Sequence, residues 1–204
     1  MNLYDRYVLP RLLDFACGLE PVSRQRDKIV PLAAGDVLEV GIGTGRNIAH
    51  YNDETVRKIW GLDPATQMHP QLRRRLNRTR FDVELLSLSA EKIPGEDARF
   101  DTIVLTYTLC SIADPIVALR EMKRVLRPGG RLLFCEHGLA PQANVARWQS
   151  RLTPAWRRIA GNCSLDRDVP ALLQQAGFTL AELEQGFIPG PKMLSYNYWG
   201  QAAH

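Results

Sequence analysis

Short apolar runs alternate with segments of helical period along most of the chain. Asp36–Val40, Val56–Leu62, Phe81–Leu86, Phe100–Leu105 and Arg131–Cys135 read as strands, most of them apolar on consecutive positions. That is the signature of strands covered on both faces. Helical segments fall between them, near Asn47–Tyr51, Thr66–Asn77 and Pro115–Leu126. The last carries Ile116, Leu119, Met122 and Leu126 on one face and stops at Arg127-Pro128-Gly129-Gly130. Strands joined by helical crossovers predict a parallel sheet with helices on both sides and right-handed connections.

The flanks are read the same way. Leu3–Phe15 has helical spacing, with Pro10 expected to end or kink it, and a second helix is expected over Val22–Ile29. Val145–Ile159 is expected to be a helix broken at Pro154. Pro170–Ala176 is expected to be a helix capped by Gly177, followed by strands over Phe178–Glu184 and Leu194–Ala202. No repeat or low-complexity linker marks a boundary, so residues 1–204 read as one domain.

Composition narrows the class. A chain of 204 residues with 45% hydrophobic and 24% charged residues buries a core without staples and is not intrinsically disordered. It has no apolar run of transmembrane length and no signal-peptide pattern, which gives the expectation of a cytoplasmic protein. The four cysteines, Cys17, Cys110, Cys135 and Cys163, form no CxxC pair, so free thiols and no metal site are expected. Net charge is +4, too weak a signal to predict a nucleic-acid partner. The cluster Arg73, Arg74, Arg75, Arg78 and Arg80 reads as a solvated helix face, with a phosphate or membrane-surface contact as its alternative. Oligomeric state is left open.

The first strand runs into Glu39-Val40-Gly41-Ile42-Gly43-Thr44-Gly45-Arg46. Glycines at alternate positions let the backbone turn tightly and admit a ligand to the main chain. Arg46 stands where a dinucleotide-binding loop has its third glycine, and no Gly-Lys-Ser/Thr follows, so neither that fingerprint nor a P-loop is present. Asp63, at the end of the second strand, is placed either to accept both hydroxyls of a ribose or to cap a helix. Glu39 is a carboxylate in a buried strand, and it makes sense if it meets a ligand amine or orients the loop.

These residues, with Ser89-Ala90-Glu91-Lys92-Ile93-Pro94, Phe100–Val104 and Arg124–Gly130, occur in an order that resembles the class I S-adenosylmethionine-dependent methyltransferases. The resemblance implies a Rossmann-like three-layer α/β sandwich whose seven-stranded sheet is mostly parallel with one antiparallel strand. It also implies S-adenosyl-L-methionine as cofactor. Glu39, Gly41, Gly43 and Gly45 would then surround the methionyl part, and Asp63 would hold the ribose. Met68, Ala90 and Glu91 would meet the adenine, and Thr106 and Tyr107 would line the amino-acid end. Residues 1–30 would form an N-terminal helical lid.

Thr106–Ser111, Glu136-His137, Trp148, Pro154-Ala155-Trp156 and Gly161–Arg167 are similar to the small-molecule thiol methyltransferases of the methyltransferase-like seven group. That implies a small apolar thiol as acceptor. N-, O- or C-methylation of a lipid amine or quinone is the alternative, and a non-catalytic cofactor-binding scaffold is a further one. A thiol of ordinary pKa about 8.5 needs little base catalysis. His137, beyond the fifth strand, is the candidate base, or else a structural histidine. Candidate walls for the acceptor are Tyr4, Cys110, Trp148, Trp156 and Asn197; Cys163 falls near them, and His50 and His69 read as surface residues.

Overall fold

The computed structural model describes residues 3–65 and 69–204. Seven strands form one sheet: β1 (Gly35–Val40), β2 (Val56–Leu62), β3 (Val83–Leu86), β4 (Phe100–Thr106), β5 (Leu126–His137), β6 (Thr179–Phe187) and β7 (Tyr196–Ala203). Their order is β3-β2-β1-β4-β5-β7-β6. All neighbouring pairs are parallel except those made by β7, which runs antiparallel to both β5 and β6. The expected three-layer sheet, with one reversed strand, is therefore present.

Period-two alternation sends successive strand residues to opposite faces. Leu38, Ile103 and Leu132 pack on one face with Leu119 and Met122 of helix α4 (Pro115–Val125). Val37, Val104 and Leu133 pack on the other with Ile29 of helix α2 (Glu20–Ile29) and Leu72 of helix α3 (His69–Leu76). Both faces are thus covered, which explains the unbroken apolar runs. Asp114 caps α4 by accepting the Val117 N–H at 3.1 Å.

The order of strands reverses direction between β1 and β4. The segments leaving those two strands must part, and a crevice opens at their carboxyl ends. The glycine loop leaves β1 there, and Tyr107–Ser111 leaves β4 beside it.

Several boundaries differ from the sequence reading. Pro10 does not end the first helix. A π-type turn over Tyr4–Val8 leads into α1 (Leu9–Cys17), and Pro10 occupies the first α-helical turn, where no backbone donor is needed. α2 likewise starts earlier, at Glu20, with Pro21 in its first turn. Pro154 does not break α5 (Ala143–Ile159). The carbonyl it leaves unpaired, that of Ser150, lies on an exposed residue open to water. The turn near Asn47–Tyr51 is a 3-10 helix over Arg46–Ala49. β5 starts at Leu126, earlier than Arg131. Helix α6 (Val169–Gln175) precedes β6 as expected. No helix among the described residues is long and apolar enough to cross a membrane.

The N-terminal helix is tied to the glycine loop through one carboxylate. Asp14 accepts hydrogen bonds from Thr44 Oγ1 at 2.6 Å, Arg46 Nε at 2.9 Å and Arg75 Nη2 at 3.2 Å. Burial opposes its ionisation, but hydrogen bonds from Arg75, Arg46 and Thr44 outweigh that and hold the carboxyl at about 2, against 3.8 ordinarily. Arg46 therefore has a structural task at the position where the dinucleotide fingerprint has glycine. Arg75 also donates to Thr44 O at 2.6 Å, so it leaves the solvated cluster to which its spacing assigned it. A group lowered in the folded state contributes stability above its unfolded pKa and loses it as pH falls through the folded one. Asp14→Asn is expected to cost about 2 kcal/mol at pH 7, with the gap narrowing from pH 3.8 towards 2. Urea unfolding of both proteins across that range checks this; a gap that does not change with pH contradicts it.

Candidate active site

The crevice is built outward from a buried carboxylate. Glu39, in β1, is 1% exposed. Its Oε1 accepts the Asn47 Nδ2 hydrogen at 3.0 Å and its Oε2 the Tyr51 hydroxyl at 2.9 Å. Asn47 also donates to Thr106 Oγ1 at 2.9 Å and accepts from Arg26 Nε at 2.9 Å. β1, the glycine loop, β4 and α2 are thereby locked in one network. Burial pushes the Glu39 carboxyl up to about 7, against the pull of Tyr51, Arg26 and Asn47. Of the two roles open to Glu39, orienting the loop is the one its contacts perform.

The loop's glycines differ in what they permit. At Gly41, with φ +75°, an added Cβ would overlap the Thr108 side chain, so glycine is needed for the β1 and β4 exits to meet. At Gly43, with φ +53°, an added Cβ would meet Asp63 Oδ2 and the Gly41 carbonyl at 3.8 Å, ordinary contact, so the positive φ and not crowding by the protein is what favours glycine there. The Gly43 N–H donates to Asp63 Oδ2 at 2.8 Å, and the Ala65 N–H to Oδ1 at 2.7 Å. Asp63 thus stands at the mouth of an open backbone cradle at the end of β2. Met68 lies outside the described residues.

The segment after β3 is held against α4. Ile93 N–H donates to Glu121 Oε2 at 3.1 Å, and Arg124 Nη2 to Ile93 O at 2.8 Å. Ala90, three residues earlier in the same segment, is buried. Glu91 is occupied, accepting from the Ser89 hydroxyl and from the Asp114 N–H. Tyr107 has φ +52°, an uncommon conformation for a side chain of its size, at the exit of β4. Its hydroxyl donates to Asn197 Oδ1 at 2.7 Å. Asn197 is fully buried and, in β7, stands opposite His137 of β5.

A second grouping occupies the exits of β4 and β5. His137 Nε2 lies 3.2 Å from Cys163 Sγ, and Cys110 Sγ lies within 4.8 Å of both. Hydrogen bonding from Cys163 first, then the charge of His137, lets the Cys110 thiol ionise more readily than usual, while Cys163 keeps its proton. Burial opposes protonation of His137, and the negative charge on Cys110 outweighs it, so its pKa is raised. Beneath them Glu136 Oε1 accepts the Thr108 and Leu109 N–H groups at 2.7 and 2.9 Å. Its Oε2 is buried without a partner, and burial pushes the carboxyl up to about 8.

The structure does not bring together every candidate wall. Trp156 lies beside Cys163. Tyr4 donates to Ile159 O at 2.6 Å, so the N-terminal turn leans on the end of α5, while Tyr7 is half exposed. Trp148 is 54% exposed and lines a surface hollow with Leu152 and Met193, apart from the grouping. His50 is half-buried, and its ring bonds Asp27 at 2.6 Å. Asn47 and Tyr51 were not legible as site residues; a buried polar residue following a buried carboxylate strand is the one local signal, at Asn47.

The match to known proteins agrees with this geometry. A family profile described as "Methyltransferase domain" covers residues 38–134, from β1 through β5. The human thiol S-methyltransferase TMT1B is 34% identical over 163 residues, 75% of this chain and 64% of that protein. Human TMT1A is 31% identical over 72% of this chain and 62% of its own length. The chain belongs to the class I S-adenosylmethionine-dependent methyltransferases. It spans a little under two thirds of the length of those curated relatives. Among solved structures, the N-methyltransferase NodS from Bradyrhizobium japonicum, in complex with S-adenosyl-L-homocysteine, aligns with a TM-score of 0.69 at 16% identity. That alignment covers 97% of this chain and 93% of NodS, and it shows a shared methyltransferase fold.

An acid with a raised folded pKa holds its proton more tightly in the native state, so stability falls as pH rises from the unfolded value through the folded one. For Glu39 that window runs from 4.5 to about 7. The wild type is expected to lose about 3 kcal/mol across it relative to Glu39→Gln. Parallel denaturation curves for the two proteins over this window contradict it.

Proposed function

We propose that this methyltransferase transfers a methyl group to the sulfur of a small apolar thiol. When bound, S-adenosylmethionine supplies an electrophilic methyl group on a sulfonium. The residues at the crevice suit that cofactor. Asp63 offers a carboxylate to the ribose hydroxyls, and the open backbone at Gly43 admits the methionyl chain without a side chain in the way. Ala90 presents its backbone to the adenine edge, and the exits of β4 at Thr106 and Tyr107 bound the amino-acid end. Glu91, already engaged by Ser89 and Asp114, frames that segment.

The observation that carries the acceptor is the grouping of Cys110, His137 and Cys163 where β4 and β5 end, the same end of the sheet at which the glycine loop leaves β1. Soft sulfur groups and an imidazole suit a thiol better than an amine or a phenol. His137 takes the acceptor's proton, the sulfur is held in line with the methyl group, and the site excludes water. The N-terminal helices act as the lid. α1 is anchored to the glycine loop at Asp14, and a Cβ on Gly161, two residues before Cys163, would touch Leu9 and Leu13. The same helix therefore spans the cofactor and acceptor loops. The similarity to human proteins named as thiol S-methyltransferases supports this reading.

The test is methyl transfer from labelled cofactor to a panel of alkyl thiols, aryl thiols, lipid amines and phenols. Small thiols are expected to be methylated and the others not. His137→Ala is expected to lower turnover by roughly 10²- to 10⁴-fold while S-adenosylhomocysteine affinity stays within about twofold. Labelling of amines or phenols in preference to thiols overturns the assignment.

A further inference from the structure

Among the described residues, Cys110, His137 and Cys163 bring their ligand atoms within 4.8 Å of one another. We propose that they form a zinc-binding site with one open position, and that the open position takes the acceptor thiol. The proposal rests on the thiol reading above and adds to it how the acceptor sulfur is held.

Geometry supports it first. A tetrahedral zinc with sulfur at about 2.3 Å and nitrogen at about 2.0 Å needs its ligand atoms about 3.5 to 3.8 Å apart. The Nε2–Sγ separation to Cys163 is 3.2 Å, and the whole set falls inside 4.8 Å, so only small side-chain shifts are required. The donor set supports it next. Two thiolates and one imidazole, without a carboxylate, select a borderline-soft ion such as zinc over magnesium or calcium. Three protein ligands with a vacant fourth position is the pattern of zinc sites that act on a substrate.

The three ligands come from separate segments that are pinned to each other. Cys110 lies in the 3-10 turn Leu109–Ser111, whose first N–H is held by Glu136. Ser164 N–H donates to Cys110 O at 2.9 Å, joining the Cys163 loop to that turn. Gly161 and Asn162 both have positive φ, at 61° and 66°, and turn the chain inward just before Cys163. One further atom points to a cation: Glu136 Oε2, next to His137 in the chain, is buried without a partner, and Glu136 itself is fully buried. Cys17 and Cys135 take no part: Cys135 packs against the other face, 3.6 Å from the Tyr107 hydroxyl.

With the ion bound, His137 is a ligand and does not take the acceptor's proton. The acceptor's S–H bond breaks, its proton leaves to solvent, and its sulfur occupies the fourth position. A sulfur lone pair then forms the bond to the methyl carbon as the methyl–sulfonium bond breaks. That bonding pair stays on the departing cofactor sulfur, which becomes a neutral thioether. The methylated acceptor is also a neutral thioether, a weaker ligand, and water replaces it.

The test uses the full chain, reduced and stripped with a chelator, then titrated with cobalt(II) and competed with zinc(II). One cobalt per chain with thiolate charge-transfer and tetrahedral d–d bands is expected, and zinc should displace it. Cys110→Ala and Cys163→Ala should each lower zinc affinity at least ~100-fold, more than the loss of an outer-shell partner. Alkylation of the wild type provides a measure that needs no variant: zinc should protect Cys110 and Cys163 and leave Cys17 unchanged. Absence of the cobalt bands, binding that survives both substitutions, or a Cys110–Cys163 disulfide as the resting form overturns the site. Thiol methylation by a chain that binds no metal sinks this inference and leaves the thiol reading standing. Specific zinc binding in a chain that methylates no thiol leaves the ion site and sinks the acceptor assignment, and with it the proposed use of the fourth position.

Discussion

Burying a carboxylate in the middle of a sheet costs several kcal/mol unless its oxygens are hydrogen-bonded. Glu39 meets that demand with Asn47 and Tyr51, and the solution fixes the rest of the crevice. Asn47 can donate to Glu39 only if the glycine loop turns back over β1, and it can reach Thr106 only if β4 lies alongside. Once the loop has turned, the Gly43 N–H points at Asp63 and the backbone cradle is open. The carboxylate therefore acts on the crevice through the loop it shapes. Its raised pKa is the residual penalty of that arrangement, and it marks a site held together at some cost to stability.

The second half of the site is assembled by a different device. The strands β4 and β5 deliver Cys110 and His137, but Cys163 comes from a loop after α5, and α1 packs onto that loop from outside. α1 is in turn tied to the glycine loop by Asp14, Arg46 and Arg75. Glycine loop, N-terminal helix and the Cys163 loop are thus linked by contacts. The glycine loop and the Cys163 loop are therefore joined through one helix.

Much of this was legible in the sequence. Consecutive apolar positions in β1, β2, β4 and β5 report burial on both faces, and the Gly41–Gly45 spacing reports a backbone that must admit something. The prolines misled because their effect depends on position within a turn. Pro10 falls in the first α-helical turn, and Pro154 leaves a carbonyl that water can reach, so neither breaks its helix. The grouping of Cys110, His137 and Cys163 could not be read from spacing, because its members lie on segments that only the strand order and the α5 loop bring together. Arg46 was legible as a departure from the dinucleotide pattern, but its reason, a carboxylate on the N-terminal helix, is a tertiary contact.

The central proposal is that the Asp63 carboxylate holds the cofactor's ribose hydroxyls. Calorimetric titration of S-adenosylhomocysteine into the wild type and into Asp63→Ala, with NAD as the comparison ligand, tests it most directly. The account predicts binding of S-adenosylhomocysteine and none of NAD. It also predicts a loss in the variant of about 30- to 1,000-fold, the worth of two hydrogen bonds to a charged group. An unchanged affinity in a folded Asp63→Ala protein would contradict it.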